Sequence, residues 1–156
     1  MPRIVPNLWF DTESEEAAAF YVSIFPNAAI TGVSHYTEAG PRPAGMVLAV
    51  EFVLDGQPFC AINGGTQFTF DEAVSFAVEC ADQEELDRYW ARLTDGGAEG
   101  PCGWCTDRYG VSWQVLPAGW SALMRDADPA RRNRAMTALF GMRKIDIAAI
   151  MAAADG

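Results

Sequence analysis

Residues 15–24 read EEAAAFYVSI and residues 84–93 read EELDRYWARL. At an offset of 69 residues the two stretches align a pair of glutamates, an aromatic pair (Phe20-Tyr21 on Tyr89-Trp90) and an apolar residue (Ile24 on Leu93) without a gap. In both, apolar residues recur at the three- and four-residue spacing of an amphipathic helix. If strands flank both helices in the same order, the chain is built on an internal repeat.

Such strands are legible. Residues 4–10 (IVPNLWF) are apolar and strand-like, with Pro6 marking an irregular start. Thr12 and Glu15 have the spacing of a capping box, and Pro26-Asn27 stops the helix. Strand-like stretches follow at 28–37, 45–54 and 57–62, with Asp55-Gly56 joining the last two as a tight hairpin and Asn63-Gly64-Gly65 ending the unit. In the second copy, residues 73–80 alternate like a strand, and Asp82 and Glu85 open a helix that Gly96-Gly97 closes. Short strands are expected near 98–101, 103–107 and 111–117, the last two joined by a turn at Asp107-Arg108-Tyr109-Gly110.

This pattern predicts one α+β domain over residues 1–156, made of two βαβββ modules (1–66 and 70–118) and a helical tail (119–156). In the tail Asp128 is an N-cap with Pro129 at the first helical position; one helix runs to Gly141 and the pattern continues through Ile145–Ala154. Met136, Leu139, Phe140, Ile147, Ile150 and Met151 make one side of it apolar, which must cover either its own sheet or a second copy.

Composition narrows the function. Half the 156 residues are hydrophobic, enough for a folded core, and the net charge is −10, which repels phosphate backbones and anionic lipid surfaces. Nucleic acid and membrane are therefore not expected partners. No apolar run reaches a membrane-spanning length and MPRIVPNLWF lacks the features of a signal peptide, so a cytoplasmic location with four reduced cysteines is expected. A single histidine, His35, argues against a metal site or triad built on imidazole.

The remaining motifs carry little chemistry. Cys102-Gly103-Trp104-Cys105 is a CxxC, but its context is a short strand before a hairpin, where side chains three apart point to opposite faces, rather than the start of a helix, and it has no second close cysteine pair, so neither a redox dithiol nor zinc is expected. The glycine clusters at 63–65 and 96–100 read as turns, not as a phosphate-binding fingerprint. Glu15-Glu16 and Glu84-Glu85 sit where helix dipoles favour carboxylates. Glu51 and Glu79, inside apolar strands, are the carboxylates best placed for acid–base work. Asn7, Trp9, Asn63, Trp104, Trp113 and Gln114 fall on strands or their ends and have the mix of apolar walls and sparse polar groups that lines small-molecule pockets.

Taken together, PNLWF, EEAAAFYVSIFPNA, LDGQPFCAINGG, VSFAVEC, CGW with DRYGVSWQVLP, and RKIDIAAI resemble the PhnB-like proteins of the glyoxalase, or vicinal oxygen chelate, superfamily, which also holds bleomycin-resistance proteins and dioxygenases. The resemblance covers nearly the whole chain. It implies paired βαβββ modules forming a curved eight-stranded sheet around a cleft, commonly in a homodimer. Some relatives carry the label 3-demethylubiquinone 3-methyltransferase, for which this chain shows no methyl-donor motif.

Metal-dependent members place His or Glu on the strands lining the cleft. By resemblance, Gln114 and Ser75 stand at two of those positions, Pro6 or Asn7 at a third, and a residue among Ala61, Ile62 and Asn63 at the fourth. An amide and a hydroxyl are too weak to hold a divalent transition metal, so no metal and no cofactor are expected. Two functions follow. The first is a metal-independent small-molecule binding protein using Asn7, Trp9, Asn63, Ser75, Trp104 and Gln114, with an aromatic or amphipathic ligand. The second is an isomerase, lyase or dioxygenase using Glu51, Glu79 or a metal held elsewhere. The sequence leaves catalytic residues unassigned.

Overall fold

A computed structural model describes residues 1–156, which divide into two compact units, Met1–Phe70 and Asp71–Gly156. The first contains β1 (Asn7–Phe10), α1 (Ser14–Ile24), β2 (Ala29–His35), β3 (Val47–Leu54) and β4 (Gln57–Asn63). The second contains β5 (Ser75–Cys80), α2 (Gln83–Thr94), β6 (Ala98–Glu99), β7 (Trp104–Thr106) and β8 (Ser112–Pro117), followed by α3 (Trp120–Leu123), α4 (Pro129–Phe140) and α5 (Ile147–Asp155). The α+β class and the βαβββ order are as the repeat predicts. The eight strands, however, form two separate four-stranded sheets, ordered β1-β4-β3-β2 and β5-β8-β7-β6. In each, the strand before the helix pairs in parallel with the last strand, and the other neighbours are antiparallel.

In unit one, alternation along β3 and β4 turns Val50, Phe52, Leu54, Phe59 and Ala61 into the core under α1, whose Ala17, Ala18 and Tyr21 are fully buried. Tyr21 stacks on Phe52 and Phe52 on Phe59, with ring centroids 6.2 and 5.5 Å apart. Each such side chain contributes about 2 kcal/mol by leaving water. The Asp55-Gly56 hairpin forms as expected, with φ of 46° and 78° at its two residues, the left-handed pair that matches strand twist.

The capping box expected at Thr12 and Glu15 does not form. Helix α1 has Glu13 at its N-cap with no side-chain cap. Its Ser14 N–H instead donates to Asn63 Oδ1, 2.9 Å away at the end of β4. At α2, which Asp82 and Glu85 open as expected, a reciprocal cap forms: Asp82 accepts from the Glu85 N–H at 2.9 Å, and the Glu85 carboxylate accepts from the Ala81 N–H at 2.7 Å. The 69-residue offset holds for the helices, whereas the preceding strands match at 70, with core-facing Leu8 and Phe10 corresponding to Val78 and Cys80. One extra residue in the β1–α1 turn accounts for the difference.

The second core lies between α2 (Leu86, Tyr89, Trp90, Leu93) and the Cys105, Trp113 and Val115 side of its sheet. The tail closes over its own unit: the Cys102 and Gly103 N–H groups donate to Met142 O and Arg143 O, and Gln83 binds Ile145 O and the Ile147 N–H through its amide. Ile145, Ile150 and Leu139 are thereby buried, whereas Met136, Phe140 and Met151 stay exposed. Asp128 and Pro129 start α4 as expected, but α5 starts at Ile147, capped by Asp146. No helix is long and apolar enough to cross a membrane.

Candidate functional site

The β7–β8 hairpin is fixed by a buried carboxylate. Asp107 accepts from Trp113 Nε1 at 2.8 Å and from the Tyr109 and Val111 N–H groups at 2.8 and 3.2 Å. Three donors satisfy a charge that would otherwise be costly to bury. This sets Trp104 opposite Gln114 and Thr106 opposite Ser112, while the parallel pairing sets Ser75 beside Ser112. Period-two alternation then divides β8: Trp113, Val115 and Pro117 face the core, and Ser112, Gln114 and Leu116 face away from α2.

On that open face Gln114 Nε2 donates to Ser75 Oγ at 2.9 Å, across 39 residues of sequence. Alongside lies a cavity of about 450 Å³, lined among others by Glu72, Cys102, Trp104, Thr106, Ser112 and Phe140. The structure thus brings Ser75, Trp104 and Gln114 to one sheet face. Glu72, Thr106, Ser112 and Phe140 escaped the sequence reading. Thr106 and Ser112 alternate with buried Cys105 and Trp113, a signal that was available; Glu72 and Phe140 lie outside the strands and carry none.

Asn7, Trp9 and Asn63 belong to unit one. Asn7 is exposed and donates to Val5 O at 2.8 Å. Trp9 donates from Nε1 to Gly65 O at 2.9 Å, meets Phe68 edge-on, and lies so close to Gly64 that a Cβ there would stand 2.1 Å from its ring. Asn63, expected to offer a hydrogen bond to a ligand, is 2% exposed with its amide committed: Oδ1 accepts from Ser14 and Nδ2 donates to Val47 O at 3.1 Å. Its carbonyl accepts from Tyr36 Oη at 2.7 Å. Asn63 thus joins α1, β3 and β2's following residue Tyr36 to the end of β4.

The residues that the family resemblance would put at metal positions do not fit a divalent transition metal. Gln114 and Ser75 are neutral and bonded to each other, Ala61 and Ile62 offer no side-chain donor, and the Asn63 amide is spent. Nowhere do three or more His, Cys, Asp or Glu side chains gather closely enough to hold an ion. Glu79 is exposed on the open face of sheet two. Glu51 is exposed on sheet one, over Gly32, and its charge adds to burial in raising the Cys60 thiol. His35 is exposed at the end of β2.

The CxxC is a turn into β7, with φ of 59° at Cys102 and 80° at Gly103. Burial, then the Asp107 and Glu99 carboxylates, push the Cys105 thiol up to about 12, opposite to the shift a redox or zinc-binding cysteine needs.

Two βαβββ modules with their four-stranded mixed sheets are the architecture of the glyoxalase, or vicinal oxygen chelate, superfamily. Within it, the chain belongs to the family described as 3-demethylubiquinone-9 3-methyltransferase, whose model matches residues 2–116. A PhnB protein of Bacillus cereus with the same description is 36% identical over 75% of this chain and 100% of its own, with a TM-score of 0.66. A protein of Pseudomonas aeruginosa shares the fold at 20% identity, covering 75% of this chain and 98% of its own, with a TM-score of 0.63. So does the fosfomycin resistance protein FosX of Listeria monocytogenes, solved with Mn(II) and sulfate, at 20% identity over 72% of this chain and 88% of its own, with a TM-score of 0.51. No curated protein matches the chain.

Proposed function

We propose that this chain is a metal-independent binding protein for an aromatic or amphipathic small molecule. The observation that carries the reading is the cavity of about 450 Å³ lined by Trp104, Thr106 and Ser112, on the sheet face that also holds the Ser75–Gln114 pair. Its size is that of a small-molecule site, and its walls are mostly apolar with a few hydrogen-bonding groups. Ser75 and Gln114, on the same sheet face as Trp104 and Ser112 of the cavity wall, hold each other in place, and a ligand that extends along that face from the cavity reaches an oriented amide and hydroxyl. Methyl transfer of the nucleotide-fold kind finds no support: the turns from β1 into α1 (Asp11–Glu13) and from β5 into α2 (Ala81–Asp82) contain no glycine to let a donor approach the backbone.

Mass spectrometry of the purified protein under native and then denaturing conditions tests the reading. A retained organic mass, reduced in the Ser75→Ala/Gln114→Ala double variant, is the expected result. A stoichiometric metal ion lost in that variant would sink the proposal. The same reading takes the protein as cytoplasmic and as a homodimer, the pairing being what the family resemblance implies, and a native mass of twice 16.9 kDa checks that pairing.

A further inference from the structure

Among the side chains lining the cavity on sheet two, Glu72 is the one carboxylate, and no Arg, Lys or His takes part. The other ionisable groups there are the thiols of Cys102 and Cys105. An anionic ligand would therefore meet a carboxylate and no counter-charge, in a protein of net charge −10.

The walls point the same way. Trp104 is half-buried on β7, and Phe140 ends α4 with 66% of its surface exposed. Phe140 lies beyond residues 2–116, so the tail adds an aromatic wall to a sheet face that the family match already covers. Aromatic faces attract cations, most strongly where water is excluded.

Resting on the binding role proposed above, we infer that the cavity takes a planar aromatic cation, with Glu72 as counter-charge and Trp104 and Phe140 as walls. Phe140 is then a specificity residue that the tail contributes. The ligand is a protonated aromatic amine or a ring with a fixed positive charge, and carboxylates, phosphates and sulfonates are rejected.

Isothermal titration calorimetry of the full chain tests this with two probes, the planar cation proflavine and the aromatic sulfonate 8-anilinonaphthalene-1-sulfonate. Proflavine is expected to bind saturably at one site per chain and the sulfonate at least tenfold more weakly. Glu72→Gln should weaken proflavine about three- to fivefold, as expected for a partly exposed charge pair, and added salt should have the same direction of effect. Phe140→Ala should weaken it by a similar or larger factor. Glu84→Gln, a surface change of equal charge on α2, should leave binding unchanged, which separates the site from general attraction to an acidic surface.

Binding of proflavine unaffected by Glu72→Gln and Phe140→Ala would overturn the inference, as would failure of proflavine to bind. Sulfonate bound more tightly than proflavine and lost in Phe140→Ala would overturn the charge assignment while leaving the binding role standing. Loss of the binding role itself is read separately, from the native mass.

Discussion

Asn63 shows how a residue can have the chemistry of a ligand contact and still be spent on the fold. Its amide joins the end of β4 to the first turn of α1 and to β3, so Asn63→Ala leaves a buried N–H and a carbonyl unpaired. A loss of about 3 kcal/mol is expected, read as a lower urea midpoint. No sequence signal marks such a cap, because its partner is 49 residues away. Gln114 and Ser75, 39 residues apart, are likewise joined by a hydrogen bond that no local pattern announces. The thiols make a second test at this scale. Cys80 and Cys105 have pKa values pushed up to about 12, chiefly by burial, against 9.0 for an ordinary thiol. Below pH 9 the thiols are neutral in both states and cost nothing. Between about pH 9 and 12 the unfolded chain releases protons that the fold retains, so stability falls as pH rises through that window. Thermal melts of Cys105→Ala across that range should show a shallower decline than the wild type.

Helices and hairpins were legible because their signals are local: periodicity, Asp82 with Glu85, Asp55-Gly56, and Asp128 with Pro129. The Thr12–Glu15 box failed because a distant acceptor replaced the local one. What the tail covers was illegible, since an apolar stripe does not name its partner. The structure assigns that partner at one point in particular, Gly103. There φ is +80°, and a Cβ would stand 2.7 Å from Ile145 Cδ1 and 2.8 Å from Val115 O. Gly103→Ala is expected to cost about 2 to 4 kcal/mol and to free the tail, seen as faster proteolysis after α3. Equal cleavage rates in variant and wild type would show that the tail is held otherwise.

Over the whole molecule, composition predicts a folded acidic protein and the repeat predicts its two modules, each of which builds its own four-stranded sheet. The separation into two sheets is a matter of which strand edges pair, and period-two patterns do not encode that. A net charge of −10 makes self-repulsion a global term, so raising salt from about 10 to 150 mM should raise the melting temperature. Under the same conditions the protein should not retard duplex DNA at 150 mM salt. The different caps of the two helices carry a consequence for time rather than energy. The first turn of α2 is closed by residues within four positions of one another, so it can nucleate as soon as the local chain collapses. The first turn of α1 must wait for β4, the last strand of its sheet, to bring Asn63 into place. Pulse-labelling hydrogen exchange should therefore find amides of α2 protected early and those of α1 late: two copies of one motif, made to run on different clocks by where each keeps its cap.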